Sequence, residues 1–429
     1  MDVDAVTRQL ARSFPILREL ELRLQGTPCD VREVLRTVGE SLESVTDLKV
    51  QVSDDPDTGA SERDIGSRGL GLVGVNPRKF TRLLLDQNSL TGDELMQVLD
   101  SQRELADLRL GSVSYAQTLM RLEGRVYHQL TRLALGRLKL EGSAHRQWGL
   151  NAVVFPNLRS LIIADFCVSN GDIGSAVGTF EQLFAQPWAS LVEVSVPLLT
   201  NNIISKIVEA CSHSLEALRF RIGGPERANR SETFQLIIRD KLLLTSAGFA
   251  TLVTKLPKLA MLELLNESGG LQAVTHLDGT IVRPPRARRA LRWECRFLCV
   301  LRIARTFLTP TSFWDIVDQL PQLCCVDTGI KAEPEWLFEN DGGKTSIEAI
   351  TKSRSDRHQN LRYIKLSVKS PTIPYELWAQ MATLLPRLTT LTFVSGMYLR
   401  ARYKSICYQL SYEFPSIHFR AETKSCLPI

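Results

Sequence analysis

Apolar residues recur along the chain in one short phrase: an apolar residue, two others, an apolar residue, one other, and a third apolar residue. It reads LRELEL from Leu17, VTDLKV from Val45, FTRLLL from Phe80, LADLRL from Leu105, LTRLAL from Leu130, LRSLII from Leu158 and LVEVSV from Leu191. It continues as LEALRF from Leu215, LAMLEL from Leu259, LCVLRI from Leu298, LRYIKL from Leu361 and LTTLTF from Leu388, with weaker copies at Leu323 (LCCVDT) and Phe414 (FPSIHF). That makes about fourteen copies at a mean step of about 30 residues, the sign of a repeat architecture. The last two apolar positions of each phrase are separated by one residue, which places them on one face of a short strand and turns the residue between them to the other face.

Before many of these strands the apolar spacing changes to that of a helix. Val31, Val34, Leu35 and Val38 form an i, i+3, i+4, i+7 set, as do Phe249, Leu252, Val253 and Leu256. Phe313, Ile316, Val317 and Leu320, and Trp378, Met381, Ala382 and Leu385, repeat the spacing. Thr91 to Glu94 has the spacing of a capping box, and the hydroxyls of TPTS at Thr309 suit a helix start. Leu-Pro at Leu256, Leu320 and Leu385, and Phe-Pro at Phe14, Phe155 and Phe414, mark ends, because proline cannot continue a helix. The predicted unit is helix, proline turn, short strand. One such unit cannot bury its own apolar face, so the units are expected to stack.

These phrases, with helices before them, resemble leucine-rich repeats of the ribonuclease-inhibitor-like type, and the Leu-Pro-x-Leu junctions resemble the substrate-receptor solenoids of fungal F-box/LRR proteins. NNIISKIVEACSHSLEALRF, with Cys211 ahead of Leu215, is similar to the cysteine-containing subtype, and Asn88 beyond Leu85 occupies the expected asparagine position. The resemblance implies an α/β fold: a leucine-rich-repeat horseshoe with a parallel sheet on the concave face and helices on the convex face. It implies one solenoid over 1–429, with 1–16 an N-terminal helix and cap and 414–429 a C-terminal cap and tail. The Gly-, Asp- and Ser-rich stretch 53–79 is expected to be a mobile insertion, and 222–241 and 266–296 to be inserted rim loops. It further implies a non-catalytic protein-recognition role in ubiquitin ligation, with a Skp-type adaptor of a cullin ligase as one partner. No F-box-like stretch precedes the first copy at Leu17.

Composition narrows the class. The chain has 429 residues, 44% of them hydrophobic and 23% charged, which excludes wholesale disorder. Its longest apolar stretches are short and carry Glu193 or Arg302, so no membrane span is expected. The opening MDVDAVTRQL does not have the form of a signal peptide, and nine cysteines without one are expected to be reduced thiols in the cytoplasm or nucleus. A formal net charge of +5 is too small for this length to indicate nucleic acid.

The strand residues turned away from the core predict the partner-facing surface. Early copies place Glu19, Glu21, Arg23, Asp47, Lys49 and Gln51 there, and later ones Arg219, Arg221, Arg302 and Lys365, with Glu263 as the acid among them. RPPRARRALRWECR adds Arg283, Arg286, Arg288, Arg289, Arg292 and Arg296. Arginines this dense suit a solvated loop, an acidic or phosphorylated protein partner, or nucleic acid; the last lacks an aromatic ladder beyond Trp293.

Catalytic and ligand motifs are poorly formed. GGKTS at Gly342 lacks the first glycine of a phosphate loop, since Phe338 falls there, and Gly66, Gly69, Gly71 and Gly74 have no helix after them. Cys295, Cys299, Cys324 and Cys325 lack partners at zinc spacing, the histidines suggest no triad, and CLPI is a poor prenylation box. NRS at Asn229 and NES at Asn266 are glycosylation sequons only in a secreted chain. The expectation is therefore no catalysis, cofactor, metal or membrane partner. The alternative class is a scaffold or a regulator of enzyme activity, such as a GTPase-activating protein on the same solenoid.

Overall fold

Three apolar residues in this phrase can point the same way only if the first enters from a turn and the other two alternate along a strand. The computed structural model describes residues 3–25, 37–38, 40–42, 44–53, 80–90, 98–114, 124–140, 151–168, 173–197, 200–222, 246–266, 293–308, 316–317, 319–330, 360–368, 375–395 and 399–423. Among them the phrases do become strands. β1 (Glu19–Gln25), β2 (Asp47–Ser53), β3 (Arg82–Leu90), β4 (Asp107–Ser114), β5 (Arg132–Leu140), β6 (Ser160–Val168) and β7 (Glu193–Val196) come first. β8 (Ala217–Ile222), β9 (Met261–Asn266), β10 (Val300–Leu308), β11 (Cys325–Ile330), β12 (Tyr363–Val368), β13 (Thr390–Ser395) and β14 (His418–Thr423) follow. They form one 14-stranded sheet in sequence order, and every described pairing is parallel. The coarse expectation of an α/β chain with a single open parallel sheet holds.

The residues group into two units, Met1–Pro197 with Glu209–Cys211, and Leu198–Val208 with Ser212–Ile429. In the first, the anchors Val45, Leu48, Val50, Leu105, Leu108, Leu110, Leu130, Leu133 and Leu135 are buried. Those of β1, Leu17, Leu20 and Leu22, are half-exposed because β1 has a neighbour on one side only. α1 (Val3–Ser13) precedes β1 within the stretch expected as a cap, and α2 (Ile173–Leu183) precedes β7. α3 (Asn201–Cys211), which lies in the second unit up to Val208, opens on Thr200, whose hydroxyl accepts the Ile203 N–H, as an N-cap should. α4 (Ser246–Lys255) buries the Phe249, Leu252 and Val253 stripe, and α5 (Tyr375–Leu384) buries Trp378, Met381 and Ala382. α6 (Arg400–Glu413) packs on β14 through Tyr403, Ile406, Cys407 and Leu410.

A repeated hydrogen bond fixes the stack. One carbonyl just before each strand accepts two N–H groups from the next copy: Thr131 and Arg132 on Ala106, Cys324 and Cys325 on Cys299, Thr389 and Thr390 on Arg362. The residue after the first anchor adds a side-chain donor to this carbonyl, from Thr131 at 3.1 Å, Thr389 at 2.9 Å, Cys299 at 3.2 Å and Cys324 at 3.1 Å. These short hydroxyl and thiol side chains thereby place their own donor on a carbonyl that already accepts two N–H groups.

The last copy differs from its sequence reading. Phe414 lies at the end of α6, and the Ile417 N–H bonds its carbonyl as the Leu388 N–H bonds Leu385. Phe414-Pro415 is thus the equivalent of Leu385-Pro386, and Phe419, not Ile417, stands opposite Leu391. A phenylalanine suits a helix end and a strand anchor equally, which is why spacing alone misplaced the phrase. The insertions expected at 53–79, 222–241 and 266–296 lie outside the described residues except for 53, 222, 266 and 293–296, as do the capping sites at Thr91 and Thr309.

Candidate functional site

In the second unit, register lines up one polar residue per strand on the face opposite the anchors. Arg219 on β8 stands beside Glu263 on β9, Glu263 beside Arg302 on β10, Arg302 beside Asp327 on β11, and Asp327 beside Lys365 on β12. The signs alternate across five strands. Glu263 is buried and takes both neighbouring arginines, Arg219 Nε at 3.1 Å and Arg302 Nη1 at 2.7 Å. Lys365 Nζ reaches over the buried Thr392 of β13 to Glu422 on β14 at 2.9 Å.

Burial sets the electrostatics of this row. It pushes the Asp327 carboxyl above its ordinary value, against the pull of Lys365 and Arg302. Burial also opposes the charge on Lys365, but the hydrogen bond and charge of Glu422, with Asp327, outweigh it and hold the ammonium above its usual value. Arg302 additionally meets the Cys325 thiol, whose own value is raised by burial despite that cation. The row is close to internally neutral, so it ties strands together as much as it offers charge to a ligand.

The first unit carries a row of its own. Register aligns Asp47, Arg82, Asp107, Arg132, Ser160 and Glu193 on successive strands β2 to β7. Asp107 accepts Arg82 Nε at 3.3 Å and a forked pair from Arg109, Nε at 3.2 Å and Nη2 at 2.9 Å. Arg132 stands on the other side of Asp107, half-buried, its Nε enclosed without a hydrogen-bond partner among the described residues. Asp47 accepts the Thr81 hydroxyl at 2.9 Å, and Glu193 the Ser160 hydroxyl at 2.6 Å. Two residues further along the strands, Leu84, Ala134 and Ile162 are half-exposed, and beyond them Gly136 lies so close to Gly111 that a Cβ on it would meet the Gly111 carbonyl oxygen at 2.3 Å. On β1 and β2, Arg23 and Lys49 both bond Glu21 and hold its carboxyl below the ordinary value.

Of the residues singled out from sequence, Arg219, Arg302 and Lys365 fall in one row, each with an acidic partner. Arg221 follows on β8, but its side chain is outside the description, as are Arg283, Arg286, Arg288, Arg289 and Arg292 entirely. Arg296 is exposed in the turn before β10. Asp327, Arg82, Asp107, Arg109 and Arg132 were not singled out. The signal was available: each occupies an outward position of a phrase already recognised, Asp327 in the weak copy LCCVDT and the others in FTRLLL, LADLRL and LTRLAL.

Among the cysteines whose side chains are described, Cys211, Cys295, Cys325 and Cys407 are buried, Cys299 and Cys324 half-buried, and none of the six is in a disulfide. Burial pushes Cys211 and Cys295 up to about 12 and Cys407 to about 11, so these thiols are not poised as nucleophiles. Among the described residues no group of three or more His, Cys, Asp or Glu could hold a metal ion, and no helix is long and apolar enough to cross a membrane. Compared with models of known protein families and with the sequences of curated proteins, the chain matches none.

Proposed function

We propose that the chain is a non-catalytic protein-recognition module, a leucine-rich-repeat horseshoe that reads a partner through the strand face opposite its anchors. Within this reading it serves as a substrate-recognition subunit of the F-box/LRR type in ubiquitin ligation. One observation carries the recognition role: register sets charged side chains in files across successive parallel strands, over a floor of buried leucine, isoleucine and valine. A file of this kind discriminates among surfaces by charge complementarity and gathers no nucleophile, base and oxyanion donors at one point. The rim arginines Arg283, Arg286, Arg288, Arg289 and Arg292 extend the reading to an acidic or phosphorylated partner segment, since guanidinium forks suit carboxylates and phosphates.

The test is capture by crosslinking of the full chain, repeated with two variants. R286E/R288E/R289E alters the rim, while R402E/K404E alters exposed positions of α6 as a control. A partner lost with the rim variant, or with a variant of the strand face, and kept by the control supports recognition. A partner kept by every variant, or lost only with the control, overturns it. Co-precipitation with a Skp-type adaptor tests the ligase setting separately; without binding, recognition stands and the ligase role falls.

A further inference from the structure

The two charged rows differ in how their cations are paired. In the second unit each described cation of the row faces an acid on a neighbouring or nearby strand: Arg219 and Arg302 share Glu263, and Lys365 has Glu422. In the first unit Arg82 and Arg109 share the carboxylate of Asp107, and Arg132 stands beside Asp107 on the next strand without an ion pair among the described residues. Asp107 is itself only 14% exposed, with Arg109 forked onto it and Arg82 bound through Nε alone. Arg132 adds a charge with no described counter-ion and an enclosed, unbonded Nε. Asp47 stands beside Arg82 in register, so the unmet charge is local to Arg132, which an anion would complete.

From this geometry we infer a docking site for one carboxylate-bearing side chain of an extended partner peptide, held by Arg82 and Arg132 over Asp107. It rests on the recognition reading above and gives that reading a location and a chemistry. Two features select a carboxylate on a peptide. Asp47 and Glu193 flank the cluster along the same row, so a polyanion lying across the strands would be repelled on both sides, whereas one localised charge is accepted. Planar guanidinium forks also match a carboxylate edge to edge. The surface beside the cluster fits the rest of a peptide. Ala134 and Ile162, with Leu84 on the far side of Arg109, offer half-exposed apolar area one strand period away, roughly 7 Å, which is the separation of residues i and i+2 in an extended chain. Past them, Gly111 and Gly136 carry no side chain, so a peptide backbone can approach. The expected ligand is an acidic residue, any residue, then a branched apolar residue.

The experiment is a selection of random linear peptides on the immobilised full chain, followed by binding of a selected synthetic peptide to wild type and to the R82Q/R132Q variant. Expected are enrichment of the acidic-x-apolar order and a loss of about tenfold or more on R82Q/R132Q and on replacing the peptide's acid by its amide. Affinity should also fall as salt rises, a measurement on wild type that holds whether or not the variant folds. Peptides without an acid, binding that is indifferent to salt or to the acid-to-amide change, or tighter binding of a phosphoserine version overturn the site. Unchanged capture of the crosslinked partner by R82Q/R132Q, when the rim variant abolishes it, overturns this site and leaves recognition standing. Partner capture that no strand-face or rim variant affects overturns the parent reading as well.

Discussion

Replacing Glu263 by glutamine tests whether the charged row of the second unit holds strands together. The carboxylate is buried and accepts from Arg219 at 3.1 Å and Arg302 at 2.7 Å, one oxygen each. An amide keeps one acceptor and turns a donor toward the other guanidinium, so one bond is lost and the other keeps only the charge of its arginine. Hydrogen bonds to charged groups contribute roughly 1.5–3 kcal/mol and neutral ones about 1 kcal/mol. The arginine side chains are 34% and 41% exposed, so water recovers much of the difference. The expected cost of E263Q is about 1–2 kcal/mol, read from urea unfolding followed by circular dichroism. A cycle with R219M and R302M should give a coupling of about 1 kcal/mol for each arm. The triple variant R219M/E263L/R302M should be close to wild type, because it removes Glu263 together with both of its partners while Asp327 keeps Lys365. An E263Q protein as stable as wild type, or a triple variant less stable than the single ones, would refute the idea that Glu263 is a buried charge satisfied by its two arginines.

Three further outcomes follow from the geometry. Asp327 has a raised carboxyl value in the folded chain, so the folded state binds its proton more readily than the unfolded state. Its contribution is fully present below the ordinary carboxylate value and is lost as pH rises through the raised one; the stability of wild type minus that of D327N should therefore decline from acid toward neutral pH, and a flat difference would contradict the burial of this group. Gly136→Ala should cost about 1–3 kcal/mol by denaturant unfolding, because its Cβ would meet the Gly111 carbonyl oxygen at 2.3 Å, whereas Gly178→Ala, where nothing lies within 4 Å, should not destabilise. Under native alkylation followed by mass spectrometry, the half-buried Cys299 and Cys324 should react before Cys211 and Cys295, which burial raises to about 12, and the reverse order would contradict the burial of Cys211 and Cys295.

The phrase of three apolar residues determined the strands by itself. A period of two within Leu-x-Leu leaves one choice of face, so Leu133 with Leu135 and Ile364 with Leu366 had to be buried wherever the strand lay, and the helical stripes of α4 and α5 followed from their own spacing for the same reason. Repetition of the phrase then fixed that the units stack, since one unit has no partner for its apolar side. Spacing could not settle the last copy, where Phe414 fits a helix end and a strand anchor alike and only the bond from Ile417 and the pairing of Phe419 with Leu391 distinguish them. Nor could it settle the charges. The sequence names Arg219, Arg302 and Lys365 as a basic set, but the sign of a surface depends on which residues register places side by side. Glu263, Asp327 and Glu422 come from distant copies to neutralise that row, while Arg82 and Arg109 share Asp107 and Arg132 stands beside it. Electrostatic energy falls with distance in space, not along the chain, and those distances exist only once the strands have paired.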